Sequence, residues 1–323
     1  MSSLITAKNI TMTFSIRKGL KKLYFNAVDN TSIDINEGEV VGLIGESGSG
    51  KTTLGKITLD LLKPTKGEIY FQGTNIRKMN KQEYKKYRIN TQYIPQDPYA
   101  SLNPYRRVID LLIDVVKYHK LASTDEEALE VVRDVMVRVG LTPPEKYLKR
   151  YPFQLSGGER QRLSIARAVV LKPRYIVADE PVTMLDASLK AGVMKTLKNN
   201  VRDIGASLLF ITHEISLLQF FGSQTRVYVM YLGEILEHCR LSDLVTNPLH
   251  PYTKALLDAI PLPDPTMRES RKVSITGQIP SPINKPSGCP LHPRCLYVKP
   301  ICRDEKPPLK NVEKDHFVAC HLY

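Results

Sequence analysis

A glycine-rich run near residue 50 contains the residue types that bind phosphate groups. Residues 45–53 read GESGSGKTT, which matches the pattern G-x-x-x-x-G-K-[ST], and they follow the apolar run 40–44, which is typical of a buried strand. Glycines allow backbone N–H groups to point at phosphate oxygens, and the N-terminus of a following helix adds partial positive charge. The run therefore predicts a nucleotide site between a strand and a helix.

Two side chains of this run have specific expected roles. Lys51 is expected to neutralise the β- and γ-phosphates, and Thr52 to offer its hydroxyl oxygen to Mg²⁺. A chance glycine-rich turn is the alternative, and the strand before the run and the helix after it argue against that alternative. The residues expected to contact the nucleotide are Gly45, Ser47, Gly48, Ser49, Gly50, Lys51, Thr52 and Thr53.

A pair of acids follows a second apolar run. Residues 175–180 read YIVADE, so a buried strand would bring Asp179 and Glu180 to its carboxyl end, where ligands of open α/β sheets gather. Asp179 is expected in the Mg²⁺ shell, and Glu180 could accept a proton from an attacking water. Two acids that begin an ordinary surface loop are the alternative, which the phosphate-binding run disfavours.

The string LSGGERQ, residues 155–161, precedes a strongly apolar helical pattern. Ser156 and Glu159 fit the S-x-x-E capping box, which would be a structural role. Gly157 and Gly158 at the start of a helix would also expose N–H groups to an anion. The residues alone allow both roles at once.

The set of these three motifs closely resembles that of the ATP-binding-cassette ATPases. The resemblance implies an α/β fold: a P-loop NTPase (RecA-like) core with antiparallel β and helical subdomains, plus a small loop-rich C-terminal domain with cysteines. It also implies the activity, hydrolysis of ATP to ADP and phosphate with Mg²⁺. In that family, Ser156 and Gly158 of one subunit would contact the γ-phosphate held by another, so the working unit would be a dimer.

Further positions match the same family. Gln96, in the string YIPQD, corresponds to the loop that links Mg²⁺ and water to the helical subdomain. Asp186, in the string MLD, corresponds to the loop after the acid-ended strand that contacts the dimer partner. The resemblance therefore adds Gln96 to the catalytic and Mg²⁺-binding residues and Asp186 to the nucleotide site.

A histidine and an aromatic residue complete the expected nucleotide site. His213, after the apolar run 208–212, corresponds to the family's histidine that contacts the γ-phosphate. Phe14 is the candidate for stacking on adenine, and a strand residue in the core is its structural alternative. Tyr24 or Phe25 could stack on adenine instead.

Several strings are similar to the peptide and nickel importer branch of this family. Residues 250–257 read HPYTKALL, and residues 288–295 read GCPLHPRC, with Leu291 where that branch usually has phenylalanine. Residues 96–104, QDPYASLNP, and the extra residues 17–25 are similar to the F-type of the two ATPase subunits in that branch.

The resemblance to this branch implies a role and partners. The chain would power the import of di- or oligopeptides, with nickel or oligosaccharide uptake as the alternative. Its partners would be a paralogous ATPase subunit, two transmembrane permease subunits and an extracytoplasmic solute-binding protein, at the cytoplasmic face of the cell membrane. A second copy of this chain remains open as the dimer partner.

Four of the five cysteines lie in the last 35 residues with the spacing C-x5-C-x6-C-x17-C. Four thiolates can hold a [4Fe–4S] cluster or a tetrahedral zinc ion, and the lack of a C-x-x-C pair weakens the zinc interpretation. In the similar branch this motif binds a [4Fe–4S] cluster, so we expect the cluster, with zinc as the alternative. Unliganded structural cysteines are a third option, which is disfavoured because the Pro-rich tail lacks a core. The four are Cys289, Cys295, Cys302 and Cys320, whereas Cys239 is expected to be a small buried residue.

The composition is that of a globular protein, with 42% hydrophobic and 24% charged residues among 323. The net charge of +13 is spread along the chain, so we expect a solvated basic surface and no nucleic-acid partner. No run of eighteen apolar residues predicts a membrane span, and the N-terminus lacks the pattern of a signal peptide. A cytosolic chain is therefore expected.

Other ATPase classes that use the same cassette fit less well. A chromosome-maintenance ATPase would need a long coiled coil, but only about 100 residues with short helical patterns separate Lys51 from Ser156. A translation ATPase would carry two cassettes in one chain. The presence of Glu180 and His213 argues against a partner subunit that does not hydrolyse ATP.

The element pattern divides the chain. A helix after residue 51 should carry Leu54, Ile57 and Leu61 on one face, and a helix capped by Ser123 or Thr124 should end at Gly140. Prolines 261, 263, 265, 280, 282 and 286 predict a loop-rich tail. The expected domains are a core with the antiparallel β subdomain (1–96 and 160–238), a helical subdomain ending in LSGG (97–159) and a C-terminal domain (239–323).

Overall fold

A computed structural model of the chain describes residues 3–260 and 275–323. The prolines 261, 263 and 265 of the predicted loop-rich tail lie outside the described residues. The chain divides into two compact units. The first contains Met1–Ile5, Ile35–Val40 and Tyr70–Ile211, and the second contains Thr6–Asp34, Val41–Ile69 and Thr212–Tyr323.

Strands and helices alternate along most of the described chain. The strands are β1 (Ser3–Lys18), β2 (Lys21–Asn36), β3 (Val40–Ile44), β4 (Lys66–Phe71), β5 (Thr74–Asn75), β6 (Thr91–Ile94), β7 (Tyr175–Asp179), β8 (Ser207–Thr212), β9 (Arg226–Tyr231), β10 (Glu234–Arg240), β11 (Lys310–Glu313) and β12 (His316–Val318). The helices are α1 (Lys51–Thr58), α2 (Lys81–Asn90), α3 (Pro98–Ser101), α4 (Val108–Tyr118), α5 (Asp125–Arg138), α6 (Glu145–Leu148), α7 (Gly157–Val169), α8 (Ala187–Ile204), α9 (Leu241–Thr246), α10 (Pro251–Asp258) and α11 (Ile301–Asp304). Among the described residues, no helix combines the length and the apolar character needed to cross a bilayer.

In the first unit, a parallel sheet carries the strand that was predicted to end in two acids. Strand β7 lies between β6 and β8, and Val177 pairs with Tyr93 on one side and with Leu209 on the other. All five residues of β7 and all six of β8 are buried, as their apolar runs predicted. Helix α7 packs against β6 and against α3, α4, α5 and α8, so it forms the centre of the helical packing in this unit.

In the second unit, five strands pair in the order β11-β12-β10-β9-β3. Strands β3 and β9 are parallel, and the remaining neighbours are antiparallel. Strands β9 and β10 form an antiparallel hairpin around Gly233. The C-terminal tail is rich in loops, as predicted, yet β11 and β12 extend this sheet. These two strands have only seven residues, and their sequences KNVE and HFV show no apolar alternation from which strands could be predicted.

The helix after the phosphate-binding run is shorter than predicted. Helix α1 ends at Thr58, so Leu61 does not lie on its face and is 42% exposed. Asp60 takes a left-handed conformation with φ of 51°, and the Leu61 N–H donates to the Lys56 carbonyl, which closes the helix end. The predicted helix that Thr124 begins is confirmed, since the Thr124 hydroxyl accepts the Glu127 N–H.

A buried carboxylate connects three segments of the second unit. Glu237, on β10, is fully buried and accepts the N–H groups of Leu249 (2.8 Å) and His250 (3.0 Å). His316 Nε2, on β12, lies 2.7 Å from the same carboxylate. Burial acts to raise the pKa of Glu237, but these hydrogen bonds outweigh it and lower the pKa. The carboxylate thus joins β10 to β12 and to the segment before α10.

The start of α10 depends on a neutral histidine. His250 is the N-cap residue, and its Nδ1 accepts the Tyr252 N–H at 3.0 Å. Burial lowers the pKa of His250 to about 4, because the charged imidazolium would lose its hydration. A proton on Nδ1 would also remove the acceptor of the cap. The fold therefore favours the uncharged ring.

We predict that His250→Asn reduces the acid sensitivity of folding, because Asn can still cap the helix but does not titrate. The unfolded His250 takes up a proton near pH 6.5 and the folded one only near pH 4, so the wild type loses stability as pH falls through this window. The loss is on the order of 2–3 kcal/mol. Urea unfolding at pH 7 and pH 4.5 measures it, with His213→Asn, a change of the same type at an exposed position, as control. Equal losses in the wild type and His250→Asn would contradict the prediction.

Candidate functional site

The phosphate-binding run forms a tight loop between β3 and α1 in the second unit. Gly50 has φ of 103°, in the region that favours glycine, and a Cβ there would lie 2.2 Å from the Ala27 carbonyl oxygen. A Cβ on Gly45 would lie 2.1 Å from the Met230 carbonyl oxygen. The loop can therefore follow this path only with glycine at both positions.

The lysine of the loop lies folded over its backbone. Lys51 is buried, and its ammonium donates to the carbonyl oxygens of Gly45 (2.8 Å) and Glu46 (2.9 Å). Ser49, also buried, contributes its carbonyl to the Gly233 N–H at 2.9 Å. The other predicted contact residues, Ser47, Gly48, Thr52 and Thr53, are exposed or half-buried. The loop therefore presents an accessible outer side above a fixed positive charge.

In the first unit, Asp179 ends strand β7 and is almost fully buried. The hydroxyl of Tyr93, on the neighbouring strand β6, donates to its carboxylate at 2.7 Å. Burial and the charge of Asp179 raise the pKa of Tyr93, so the phenol remains a donor. The sequence analysis did not assign Tyr93 a role, although the parallel pairing of β6 and β7 places it beside the acid.

Glu180 follows Asp179 in a left-handed conformation, with φ of 45°. This conformation is costly for a residue other than glycine, and it is stabilised here by the Glu180 N–H, which donates to the Ile211 carbonyl at 2.9 Å. The Glu180 carboxylate accepts Gln96 Nε2 at 3.1 Å and the Thr183 hydroxyl at 3.2 Å. The structure thus brings together the two predicted catalytic residues of this unit.

The segment after Gln96 is attached to helix α7. The Arg160 guanidinium lies over the Tyr99 ring, 3.6 Å from its centre, and Arg167 donates to the Ser101 carbonyl at 2.8 Å. Helix α7 begins in the LSGGERQ string. Displacement of the segment after Gln96 would therefore pull on the helix that carries Gly158.

The capping box predicted in LSGGERQ is confirmed. Ser156 is the N-cap of α7, its hydroxyl accepts the Glu159 N–H, and the Glu159 carboxylate accepts the Ser156 N–H at 2.8 Å. Partial burial acts to raise the pKa of Glu159, but the bonds from Ser156 lower it. Gly158 is buried, whereas Ser156 is exposed. The structural role leaves Ser156 at the surface, where another molecule can reach it.

Exposed apolar side chains lie near this helix start. Phe153 is 63% exposed and Met184 is 58% exposed, and Asp186 is exposed as well. A Cβ on Gly157 would approach the Leu185 side chain to 3.2 Å, so the residues after β7 pack close to the LSGGERQ string. Large exposed apolar side chains beside polar ones are typical of surfaces that contact another protein.

The remaining predicted nucleotide residues belong to the second unit. His213 is exposed and follows β8, in a turn where the Thr212 hydroxyl accepts the Glu214 N–H at 2.9 Å. Phe14 is half-buried, with its ring centre 6.0 Å from that of Phe25. Tyr24 is exposed, so all three aromatic candidates for adenine stacking have some accessible surface.

A basic groove of about 920 Å³ lies in the first unit. Its lining contains four basic side chains and several tyrosines, and it includes Pro95, which directly precedes Gln96. The basic side chains and tyrosines are Lys81, Lys85, Arg88, Arg167, Tyr84, Tyr93 and Tyr118. The sequence analysis did not predict this groove, because its residues come from α2, α4 and α7, which are distant in sequence.

The four tail cysteines line one pocket in the second unit. Two of the sulfurs accept a backbone N–H: Tyr297 donates to Cys295 at 3.3 Å and Lys299 donates to Cys302 at 3.4 Å. Burial raises the pKa of Cys289 to about 12, and no disulfide joins any of the four.

The spacing of these sulfurs differs from that of a compact metal site. Among residues 3–260 and 275–323, ligand atoms of three acidic, His or Cys residues meet within 4.8 Å of one another only at Glu237, Cys239 and His316. No three tail sulfurs therefore lie that close together. Cys239 is buried on β10, as the sequence predicted, and its neighbour Glu237 belongs to the hydrogen-bond network described above.

Two family models match the chain. The model of the ABC transporter family matches residues 28–183, and the model of the oligopeptide/dipeptide transporter C-terminal region matches residues 236–302. The first range contains the phosphate-binding loop, the LSGGERQ string and both acids. The second range contains HPYTKALL and three of the four tail cysteines.

Similar proteins cover nearly the whole chain. YkfD of Bacillus subtilis is 43% identical over 94% of this chain and 91% of its own length. The oligopeptide transport ATP-binding proteins AppF of Bacillus subtilis and OppF of Haemophilus influenzae are 40% and 37% identical, and each match covers at least 98% of this chain and 96% of the relative.

A solved structure confirms the predicted P-loop NTPase fold. The ATP-binding cassette MJ0796, a dimer in a post-hydrolysis state bound to ADP and phosphate, aligns with a TM-score of 0.63 and 30% identity, over 73% of this chain and 98% of the cassette. Motifs, fold and relatives agree. The chain belongs to the ATP-binding-cassette ATPases, in the group that carries the oligopeptide/dipeptide transporter C-terminal region.

Proposed function

We propose that this ATPase energises the import of di- or oligopeptides across the cytoplasmic membrane. The names of the relatives AppF and OppF and the match to the oligopeptide transporter C-terminal region support peptides as the solute. The observation that carries the hydrolytic role is the 3.1 Å hydrogen bond from Gln96 to Glu180, directly after Asp179 at the end of a buried parallel strand.

The phosphate-binding loop is proposed to hold the β- and γ-phosphates. Its glycines direct N–H groups to the phosphate oxygens, and Lys51 exchanges its bonds to the Gly45 and Glu46 carbonyls for bonds to the phosphates. Phe14 stacks on adenine. Mg²⁺ would be held by Thr52, Gln96 and Asp179, whose hard oxygen donors suit this ion, and it would neutralise charge on the phosphates.

Glu180 is proposed to act as the general base. Its carboxylate orients a water molecule and accepts its proton as the water attacks the γ-phosphorus in line with the leaving oxygen. Gln96 holds the carboxylate in place through its amide, and Thr183 does so through its hydroxyl. His213 and Lys51 stabilise the negative charge that develops on the transferred group.

A partner ATPase subunit is proposed to complete each site. Ser156 and Gly158 would contact the γ-phosphate held by the partner, and Asp186 would lie at the same contact. The exposed Ser156, Phe153 and Met184 support this contact surface. By similarity to two-subunit importers, the partner is a paralogue, so the working unit is a heterodimer.

The membrane subunits are proposed to dock in the basic groove of the first unit. The groove includes the residues just before Gln96, and Arg160 and Arg167 attach the residues just after Gln96 to helix α7. Motion of a docked permease segment would thus be transmitted to Glu180 and to the LSGG string. The chain would lie at the cytoplasmic membrane face with two permease subunits and an extracytoplasmic solute-binding protein, and without nucleic acid.

We propose the same domain boundaries that the sequence pattern predicts. Residues 1–96 and 160–238 would form the nucleotide-binding core with its antiparallel β subdomain. Residues 97–159 would form the helical subdomain, and residues 239–323 the C-terminal domain. The helices α3 to α6, all within 97–159, support a separate helical part.

The tail cysteines are proposed to hold a [4Fe–4S] cluster. Tetrahedral zinc with Zn–S bonds of about 2.3 Å brings its sulfurs to about 3.8 Å from one another, whereas no three sulfurs here lie within 4.8 Å. Backbone N–H donors to Cys295 and Cys302 suit thiolates that share the charge of a larger cluster. The group would fasten a tail with few regular elements. The ligands would be Cys289, Cys295, Cys302 and Cys320.

We predict that Glu180→Gln binds ATP normally but turns it over about 10²–10⁴-fold more slowly, because the amide cannot accept the proton from water. Equilibrium ATP binding and phosphate release by the assembled transporter measure the two effects. The matched control is Glu130→Gln, a change of the same type at an exposed position of α5. Turnover close to that of the wild type would remove Glu180 from the proposed role.

We predict that protein purified without oxygen contains about four iron atoms and is brown, with colour that dithionite bleaches. Cys302→Ser should lose the iron and the colour, whereas Cys239→Ala should retain both, since Cys239 lies on β10 outside the pocket. Iron analysis and visible absorption are the measurements. A colourless wild type with one zinc per chain would establish the zinc alternative instead.

A further inference from the structure

The second residue of the phosphate-binding loop is acidic. Glu46 lies between Gly45 and Ser47, and its carbonyl oxygen accepts the Lys51 ammonium at 2.9 Å. A carboxylate in this loop is electrostatically unfavourable for a bound triphosphate, because both carry negative charge. The loop therefore needs a compensating cation close to Glu46.

Arg294 supplies that cation. It lies in residues 288–302, which contain three of the tail cysteines and form the cysteine segment. Its two terminal nitrogens donate to the two Glu46 oxygens at 2.9 and 3.2 Å, in the bidentate geometry that makes arginine–carboxylate pairs strong. The Arg294 side chain is 8% exposed and that of Glu46 is 25% exposed, so water screens the pair only partly. Arg294 also donates to the Tyr231 hydroxyl at 3.3 Å.

The backbone of Glu46 is also held by a residue from the C-terminal part of the chain. Its N–H donates to the hydroxyl of fully buried Tyr252 at 2.7 Å, and the Tyr252 ring packs against Tyr231 with ring centres 4.7 Å apart. Tyr252 belongs to the HPYTKALL string and Arg294 to the GCPLHPRC string. Both strings therefore contact one residue of the phosphate-binding loop.

The position of Arg294 is fixed by the turn that also places a cysteine. The N–H groups of Arg294 (2.9 Å) and Cys295 (3.1 Å) both donate to the Leu291 carbonyl. The Arg294 carbonyl accepts the Thr276 N–H at 2.9 Å. The guanidinium thus reaches Glu46 from a backbone that is itself hydrogen-bonded on both sides.

We propose that Arg294 is a positioning residue for nucleotide binding: it holds the Glu46 carboxylate and cancels its charge, so the loop attains its full ATP affinity only when the cysteine segment is folded against it. This inference rests on the proposed role of the loop as the nucleotide site. The cysteine segment would then have two functions: it would hold a metal group, and it would control ATP affinity through the Arg294–Glu46 ion pair.

Equilibrium binding of Mg²⁺–ATP to the full chain tests this inference with three variants. Arg294→Gln leaves the Glu46 charge uncompensated and should weaken ATP affinity about tenfold. Glu46→Gln removes the charge and should bind ATP at least as tightly as the wild type. The double variant Glu46→Gln/Arg294→Gln removes both charges and should bind within about threefold of the wild type.

Three results would overturn the inference. One is wild-type affinity in Arg294→Gln, another is a tenfold loss in Glu46→Gln, and the third is a double variant as weak as Arg294→Gln. Thermal unfolding checks each variant. If Arg294→Gln does not fold, a double variant that binds ATP about tenfold more weakly than the wild type overturns the inference. Lys51→Ala distinguishes failure of the loop function from failure of the Arg294 role. Normal ATP binding by Lys51→Ala would refute the proposed loop function itself. If Lys51→Ala loses ATP binding and Arg294→Gln keeps wild-type affinity, only the role of Arg294 is refuted.

Discussion

A triphosphate carries several negative charges, and a protein must replace their hydration with fixed donors before it can do chemistry on them. In this chain the proposed donors are backbone N–H groups of one short loop and the ammonium of Lys51. The path of that loop excludes any Cβ at Gly45 and Gly50, where carbonyl oxygens of neighbouring segments would lie near 2 Å away. The remainder of the second unit must therefore leave room for the loop backbone at these two glycines.

The second unit meets that constraint with segments from the end of the chain. The Gly233 N–H of the β9–β10 hairpin donates to the Ser49 carbonyl of the loop. The Tyr252 hydroxyl accepts the N–H of Glu46 in the same loop. Glu237 in turn fixes the segment before α10, which carries Tyr252. In the first unit, strand β7 positions Asp179 and Glu180, and helix α7 holds the segment after Gln96. In both units, regular elements position a short polar segment.

Much of this arrangement could be predicted from the sequence, because its chemistry lies in consecutive residues. The loop 45–53, the acids after β7 and the capping box at Ser156 are local patterns whose geometry is decided within a few residues. The ion pair of Glu46 with Arg294 joins residues 248 positions apart, and the Tyr93 bond to Asp179 depends on which strands become neighbours. Leu61 was predicted on a helix face because periodicity does not show where a left-handed residue such as Asp60 ends the helix.

The proposed mechanism requires that phosphate held by the loop of one subunit is also contacted by the LSGG string of another. Vanadate trapped with MgADP takes the place of the γ-phosphate, and light then cleaves the backbone next to it. Mass spectrometry of the irradiated complex of this chain with its ATPase partner locates the cuts. We expect cleavage of this chain both within residues 45–51 and within residues 155–158. Cleavage within 45–51 alone, in a sample where both subunits have trapped vanadate, would contradict it.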